Sequence, residues 1–184
     1  MANKKYEDMS FPVEDRIRWD DMPHMQAPGL SEHEGRATWL RVQDTFSFEN
    51  GYSLWGENGI SPEDIRQGGV GDCWFIAAAS AMAERSDRLE RLFINEDNEF
   101  TGGICPKGIY GLQFYALLMP VTITIDDFLP FETDKRTIYA SVGDDKSVWG
   151  PLLEKAFAKF HGSYEAIASG TPERALNTLA GSPH

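Results

Sequence analysis

Apolar residues are spread unevenly along the chain, and their spacing changes several times. Residues 1 to 45 are polar and irregular. Phe11, Trp19, Trp39 and Leu40 recur without period, and Asp20-Asp21-Met22-Pro23 and Ala27-Pro28-Gly29 are turn signals. This stretch reads as an N-terminal arm laid across a core encoded later. Residues 46 to 71 are dense in Gly and Asn and predict loop, with one short helical turn after Ser61-Pro62-Glu63. Cys73 to Ala83 is Ala-rich, free of Gly and Pro and apolar on all sides, which predicts a buried helix. A second helical piece is expected from Asp87 to Phe93, then polar loop from Asn95 to Thr101 and a turn at Gly102-Gly103.

The period then changes to two. Ile109 to Leu118 and Val121 to Ile125 are rich in β-branched and aromatic residues, with Met119-Pro120 as the expected turn between them. Val121, Ile123 and Ile125 alternate with Thr122 and Thr124, so one face of that strand is buried. Farther on, Trp149, Leu152, Leu153, Ala156, Phe157 and Phe160 follow helical spacing, with Pro151 near the start and Gly162 past the end. A last helix begins at Thr171-Pro172-Glu173 and stops at Gly181. Helices and strands in this order give an α+β class with a small antiparallel sheet.

Composition narrows the function. The 184 residues suit one domain, and the net charge of −12 speaks against nucleic acid and anionic lipid as partners. The apolar run from Cys73 to Ala83 is too short to span a bilayer, so no membrane insertion is expected. Met1 to Asp8 carries no apolar core of a signal peptide, and two cysteines form no disulfide framework. An intracellular, cytoplasmic setting with free thiols is expected, a Cys73–Cys105 bridge being the alternative.

Gln67-Gly68-Gly69-Val70-Gly71-Asp72-Cys73-Trp74 is the stretch that carries chemistry. A glycine-dense loop delivers a cysteine to the first turn of a helix, where unsatisfied N–H groups stabilise a thiolate. The N–H of Cys73 points where an oxyanion would form, and the Gln67 amide could supply a second donor. Asp72 is a candidate helix cap. The alternatives are an inert buried thiol at Cys73 and an amide at Gln67 that braces its loop. No phosphate-loop Lys, His-Glu-x-x-His or Cys-x-x-Cys is present.

This segment resembles the active-site helix of the calpains. So do Gly108-Ile109-Tyr110 through Asp126-Asp127-Phe128-Leu129-Pro130, and Trp149 followed by Leu152 to Lys159 and Gly162-Ser163-Tyr164-Glu165-Ala166, in the same order. The resemblance covers about Gly59 to Gly181. It implies a papain-like cysteine protease fold, with residues 46–184 as the first, nucleophile-bearing and largely helical lobe. It implies a hydrolase, a thiol protease acting on protein or peptide substrates, with Cys73 as nucleophile and Gln67 in the oxyanion hole. It also implies calcium. Gly59 and Asp64 match two of the family's ligands; the acid expected two residues before Trp149 is Ser147, and Asp144 and Asp145 could substitute. A solvated acidic loop is the alternative.

A thiol protease also needs a histidine and a group to orient it. In papain-like enzymes these lie on the order of 130–150 residues after the cysteine. None of His24, His33, His161 and His184 matches that position, and a cationic His161 would suit the end of its helix. The expectation is therefore a nucleophile lobe, inactive by itself, completed by a second lobe from the same longer chain or another. A non-catalytic calpain-like interaction module is the competing reading.

Overall fold

The computed structural model describes residues 5–12, 38–46, 50–69, 71–95, 103–131 and 137–181. His24, His33, His184, the turn signals between residues 20 and 29, most of the Asn95–Thr101 loop and Gly102 lie outside them. In chain order the elements are β1 (Thr38–Arg41), α1 (Val42–Thr45), α2 (Cys73–Ala83), α3 (Ser86–Glu90), β2 (Ile109–Ala116), β3 (Met119–Asp126), β4 (Phe128–Phe131), α4 (Trp149–His161) and α5 (Pro172–Ala180). Short 3-10 turns occupy Pro62–Asp64 and Glu165–Ile167. Mixed helix with two small antiparallel sheets is the α+β class expected.

The first sheet is the β2–β3 hairpin, in which Ile109 pairs with Asp126 and Ala116 with Met119. The turn is not at Met119-Pro120 but at Leu117-Leu118, whose φ angles are 50° and 65°. A two-residue connection needs left-handed residues at both positions to match the strand twist. Pro120 instead sits inside β3 opposite Tyr115. The second sheet joins β1 to β4, Thr38 against Phe131 and Arg41 against Phe128.

α4 is the centre of the molecule. Trp149, Leu152, Leu153, Ala156 and Phe157 are fully buried, and so are Glu154 and Lys155. Phe157 stacks on Phe75 of α2 at 4.5 Å and meets Trp74 edge-on at 5.4 Å. α2 is buried on one side only: Trp74, Phe75, Ala78, Ala79, Met82 and Ala83 face the core, whereas Cys73, Ala77 and Ala81 face out. The expectation of burial on all sides fails because alanine is small enough for either environment. Residues 5–12 dock through Tyr6 N–H to the Lys107 carbonyl (2.8 Å) and Asp8 N–H to Asp126 (2.9 Å).

Candidate active site

Cys73 opens α2 and is exposed; Cys105 is fully buried, and both thiols are free. The bridge considered as the alternative is not formed. Asp72 occupies the N-cap position, and its carbonyl accepts from Phe75 N–H (2.8 Å) and Ile76 N–H (3.0 Å). Its side chain makes no capping bond, which corrects the expected role. The carboxyl is turned inward and has no exposed surface.

The loop before Cys73 is braced rather than free. Gly69 N–H donates to the Ile138 carbonyl (2.7 Å), and Ser141 N–H donates to the Arg66 carbonyl (3.0 Å). Residues 66–69 thus lie along residues 138–141, carrying the exposed side chain of Gln67. The glycines here serve close approach, not a left-handed turn. A Cβ at Gly68 would lie 2.0 Å from the Tyr139 carbonyl oxygen, and one at Gly71 would lie 2.7 Å from that of Ala168. Trp74 Nε1–H donates to the Ile167 carbonyl (2.9 Å), fastening the start of α2 to the segment after α4.

Beneath the loop is a feature that sequence reasoning missed. Both Glu154 oxygens accept from Ala140 N–H, at 3.1 and 3.0 Å, and the Glu154 carboxyl meets that of Asp72. Burial pushes Asp72 up to about 6. Burial raises Glu154 well above the carboxylate range, and the charge of Asp72 adds to the rise. Only the tertiary fold brings these two residues together, so no local motif signals them.

His161 is packed against Phe157 (4.5 Å) and Phe160 (5.1 Å), and Arg174 donates to its Nδ1 at 3.2 Å. Burial, with the Arg174 charge added, lowers it to about 4, so it is neutral at pH 7. The expected cationic helix end is corrected by that burial first and by the Arg174 charge second.

Of the expected calcium residues, Asp64, Asp144 and Asp145 line a cleft of about 420 Å³ together with Glu57, Ser61 and Arg66 among others, and Gly59 does not. Asp64 closes a capping box with Ser61, whose N–H donates to it at 2.6 Å. Burial raises its carboxyl, the Ser61 N–H pulls it back and the Asp145 charge adds to the rise. A Cβ at Gly143 would lie 2.2 Å from Ser147 Oγ, 2.8 Å from Asp145 Oδ1 and 3.1 Å from Asp64 Cβ, so these three side chains converge. Among the described residues, Asp145 Oδ2 and Ser147 Oγ are buried without a partner. Asp144 is instead held by both terminal nitrogens of Arg66. Gly59 has φ +78° and open space beside it. No group of three or more acid, His or Cys side chains suited to a metal occurs among the described residues. Two carboxylates and a hydroxyl fit a weakly held hard cation, not a tight one.

Cys73 thus stands exposed at the head of a helix buried on one side, behind the braced loop that carries Gln67. The calpain family cysteine protease model matches residues 6–184. The chain therefore belongs to the calpain family of cysteine proteases. It is 33% identical over 185 residues to a calpain-type cysteine protease of Arabidopsis thaliana, covering 98% of this chain and 8% of that protein. Calpain-B of Drosophila melanogaster is 35% identical over 147 residues (78% and 15%), and human calpain-9 is 37% identical over 123 residues (67% and 17%). This chain thus spans a small fraction of those relatives' lengths. Among the described residues, no helix is long and apolar enough to cross a membrane.

Proposed function

We propose that residues 46–184 are the nucleophile lobe of an intracellular calpain-like cysteine endopeptidase, with residues 1–45 as an arm on it. The observation that carries this reading is the exposed thiol of Cys73 at the first turn of α2, behind the Gln67 loop. In the reaction, Cys73 Sγ attacks the peptide carbonyl carbon and the carbonyl oxygen takes up the displaced electron pair. Cys73 N–H and the Gln67 amide donate to that oxyanion. The C–N bond then breaks, the amine leaves with a proton, and water hydrolyses the thioester to free the acid.

Donation of that proton falls to a histidine on a second lobe, oriented by an asparagine. His161 is committed to Arg174 and the phenylalanines. Cys73, Ala77 and Ala81 form an exposed, mostly apolar stripe along α2, a face on which such a lobe could sit beside the thiol. The chain alone is accordingly inactive in turnover. Gly59, Asp64 and Asp145 are the residues that would hold calcium; Asp144 would join them only by leaving Arg66. A bound ion would fasten the 56–64 and 143–147 loops below the Gln67 segment.

The test is proteolysis by a longer chain that includes the second lobe. Cys73→Ala should abolish turnover, and Gln67→Ala should lower kcat by about 100-fold. Undiminished cleavage by Cys73→Ala would sink the reading and favour a non-catalytic interaction module.

A further inference from the structure

We propose that Asp72 and Glu154 hold a single proton between their carboxyl groups, and that this pair positions the Cys73 loop. Two observations of geometry carry it. The first is burial without a counter-charge: Asp72 is 0% and Glu154 1% exposed. Among the described residues, neither Asp72 oxygen has a hydrogen-bond partner of good geometry, and the groups that act on its carboxyl are that of Glu154 and Asp72's own N–H. Two ionised carboxylates are acceptors only and repel each other; one proton makes them a donor and an acceptor.

Among the described residues, no neighbouring cation takes the place of that proton. On α4, Lys155 is bound to Asp126 and Lys159 to Asp8. His161 is neutral, and Arg174 of α5 donates to it. Arg66, in the loop before α2, holds Asp144. Cys73 beside the pair, and Tyr139, Tyr164 and Glu165 on the segments near it, are not cations at neutral pH. Burial raises both members of the pair, which favours a proton held between them.

The second observation is where the pair is attached. Glu154 holds Ala140 N–H, and the residues on either side of Ala140 brace the Gln67 loop: Tyr139 by its carbonyl against Gly68, Ser141 by its N–H to Arg66. Asp72 immediately precedes Cys73, and its carbonyl starts the hydrogen bonds of α2. The proton therefore joins the segment that holds Gln67 to the residue that holds Cys73. The positioning role rests on the reading of those two residues given above. The shared proton does not.

The test has two readouts on the full chain. Infrared difference spectra at pH 7 should show the carbonyl stretch of a protonated carboxylic acid in the wild type, lost in Glu154→Gln. Absence of that band in the wild type overturns the shared proton, whatever Cys73 does. The second readout is the labelling rate of Cys73 with 2,2′-dithiodipyridine, which remains reactive in acid. Glu154→Gln, whose amide can donate to Asp72 while its oxygen accepts from Ala140, should stay within about twofold of wild type. Glu154→Ala should change the rate about tenfold, the effect expected when a buried polar partner is removed. Should Glu154→Ala not fold, Asp72→Asn replaces it: the wild-type rate should show an inflection near pH 6 beyond the thiol's own titration, absent in Asp72→Asn. Equal changes in the Gln and Ala variants, or no such inflection, overturn the positioning role.

Discussion

Two pairs of buried acids lie against the same helix, and they are neutralised in opposite ways. At the end of β3, Asp126 accepts from Lys155 Nζ, from Asp8 N–H at 2.9 Å and from Phe128 N–H at 3.1 Å. Its neighbour Asp127 accepts from Arg41 and, at 3.0 Å, from Gln43. Asp72 and Glu154 are as deeply buried but meet no cation among the described residues, and a proton takes the cation's place. Adjacent positions on α4 thus supply Lys155 to one pair and Glu154 to the other. Chain direction explains this: consecutive helical residues point about 100° apart, so one reaches the β3 end while the next reaches the start of α2.

The sharpest way to break the comparison is to remove each partner in turn. Lys155→Met leaves Asp126 as a buried charge without its cation. It should cost about 3–5 kcal/mol in urea denaturation at pH 7, the penalty expected for half of a buried ion pair. Glu154→Gln keeps the donor that the shared proton provides and should cost less than about 1 kcal/mol. Equal losses would mean that both sites hold full charge.

The next effect is a pH dependence with a definite sign. Asp72 is raised from 3.8 to about 6, so between those values the folded chain binds more protons than the unfolded one. Stability from this group is therefore greatest in acid and falls as pH rises through that window, by about 3 kcal/mol in all. His161 works the other way. Its value drops from 6.5 to about 4, so the unfolded chain binds the extra proton there and stability rises with pH over nearly the same range. Partial exposure and solvent screening make the histidine contribution the weaker one. Glu154, raised as well, adds to the Asp72 fall, so the wild-type profile should fall as pH rises, less steeply than it would without His161. Denaturant melts of Asp72→Asn and His161→Gln at pH 4 and 7 should tilt it in opposite directions. Identical tilts would contradict the assignment.

These acids also mark where sequence reading stops. Helix α2, the β2–β3 strands, α4 and α5 were legible because apolar period, Pro and Gly are local signals. The β1–β4 pair was not, since two four-residue strands far apart in sequence carry no period of their own. The hairpin turn was misplaced by two residues because Pro120 is a turn signal that a strand edge also tolerates. At the site, Cys73 and Gln67 stood out through the glycines around them. Asp72 read as a cap, and Glu154 and Lys155 went unnoticed within the calpain-like helix motif. Their chemistry depends on what lies across the core.

A third acidic pair tests the rule that each needs something in place of a second negative charge. Asp64 is buried and Asp145 partly so, but both line an open cleft that water can enter; burial raises Asp64, and the Asp145 charge adds to the rise. Their remaining needs are met in part by Ser61 N–H and by Ser147 N–H, the latter at 3.0 Å. A hard cation is the natural third solution, beside an amine and a proton, and weak affinity is expected from so few donors. Calcium near its dissociation constant, on the order of 1 mM, should stabilise the chain by about 0.4 kcal/mol. The signal would appear as a small calcium-dependent rise in Tm. Asp145→Asn should erase it, because it removes the carboxylate nearest the unpartnered oxygens, while Asp144→Asn should leave most of it, because Arg66 already holds that side chain. No rise in the wild type at tenfold higher calcium, about 10 mM, would show that hydrogen bonds and water suffice for this pair. The need for a counter-ion would then be confined to acids that water cannot reach.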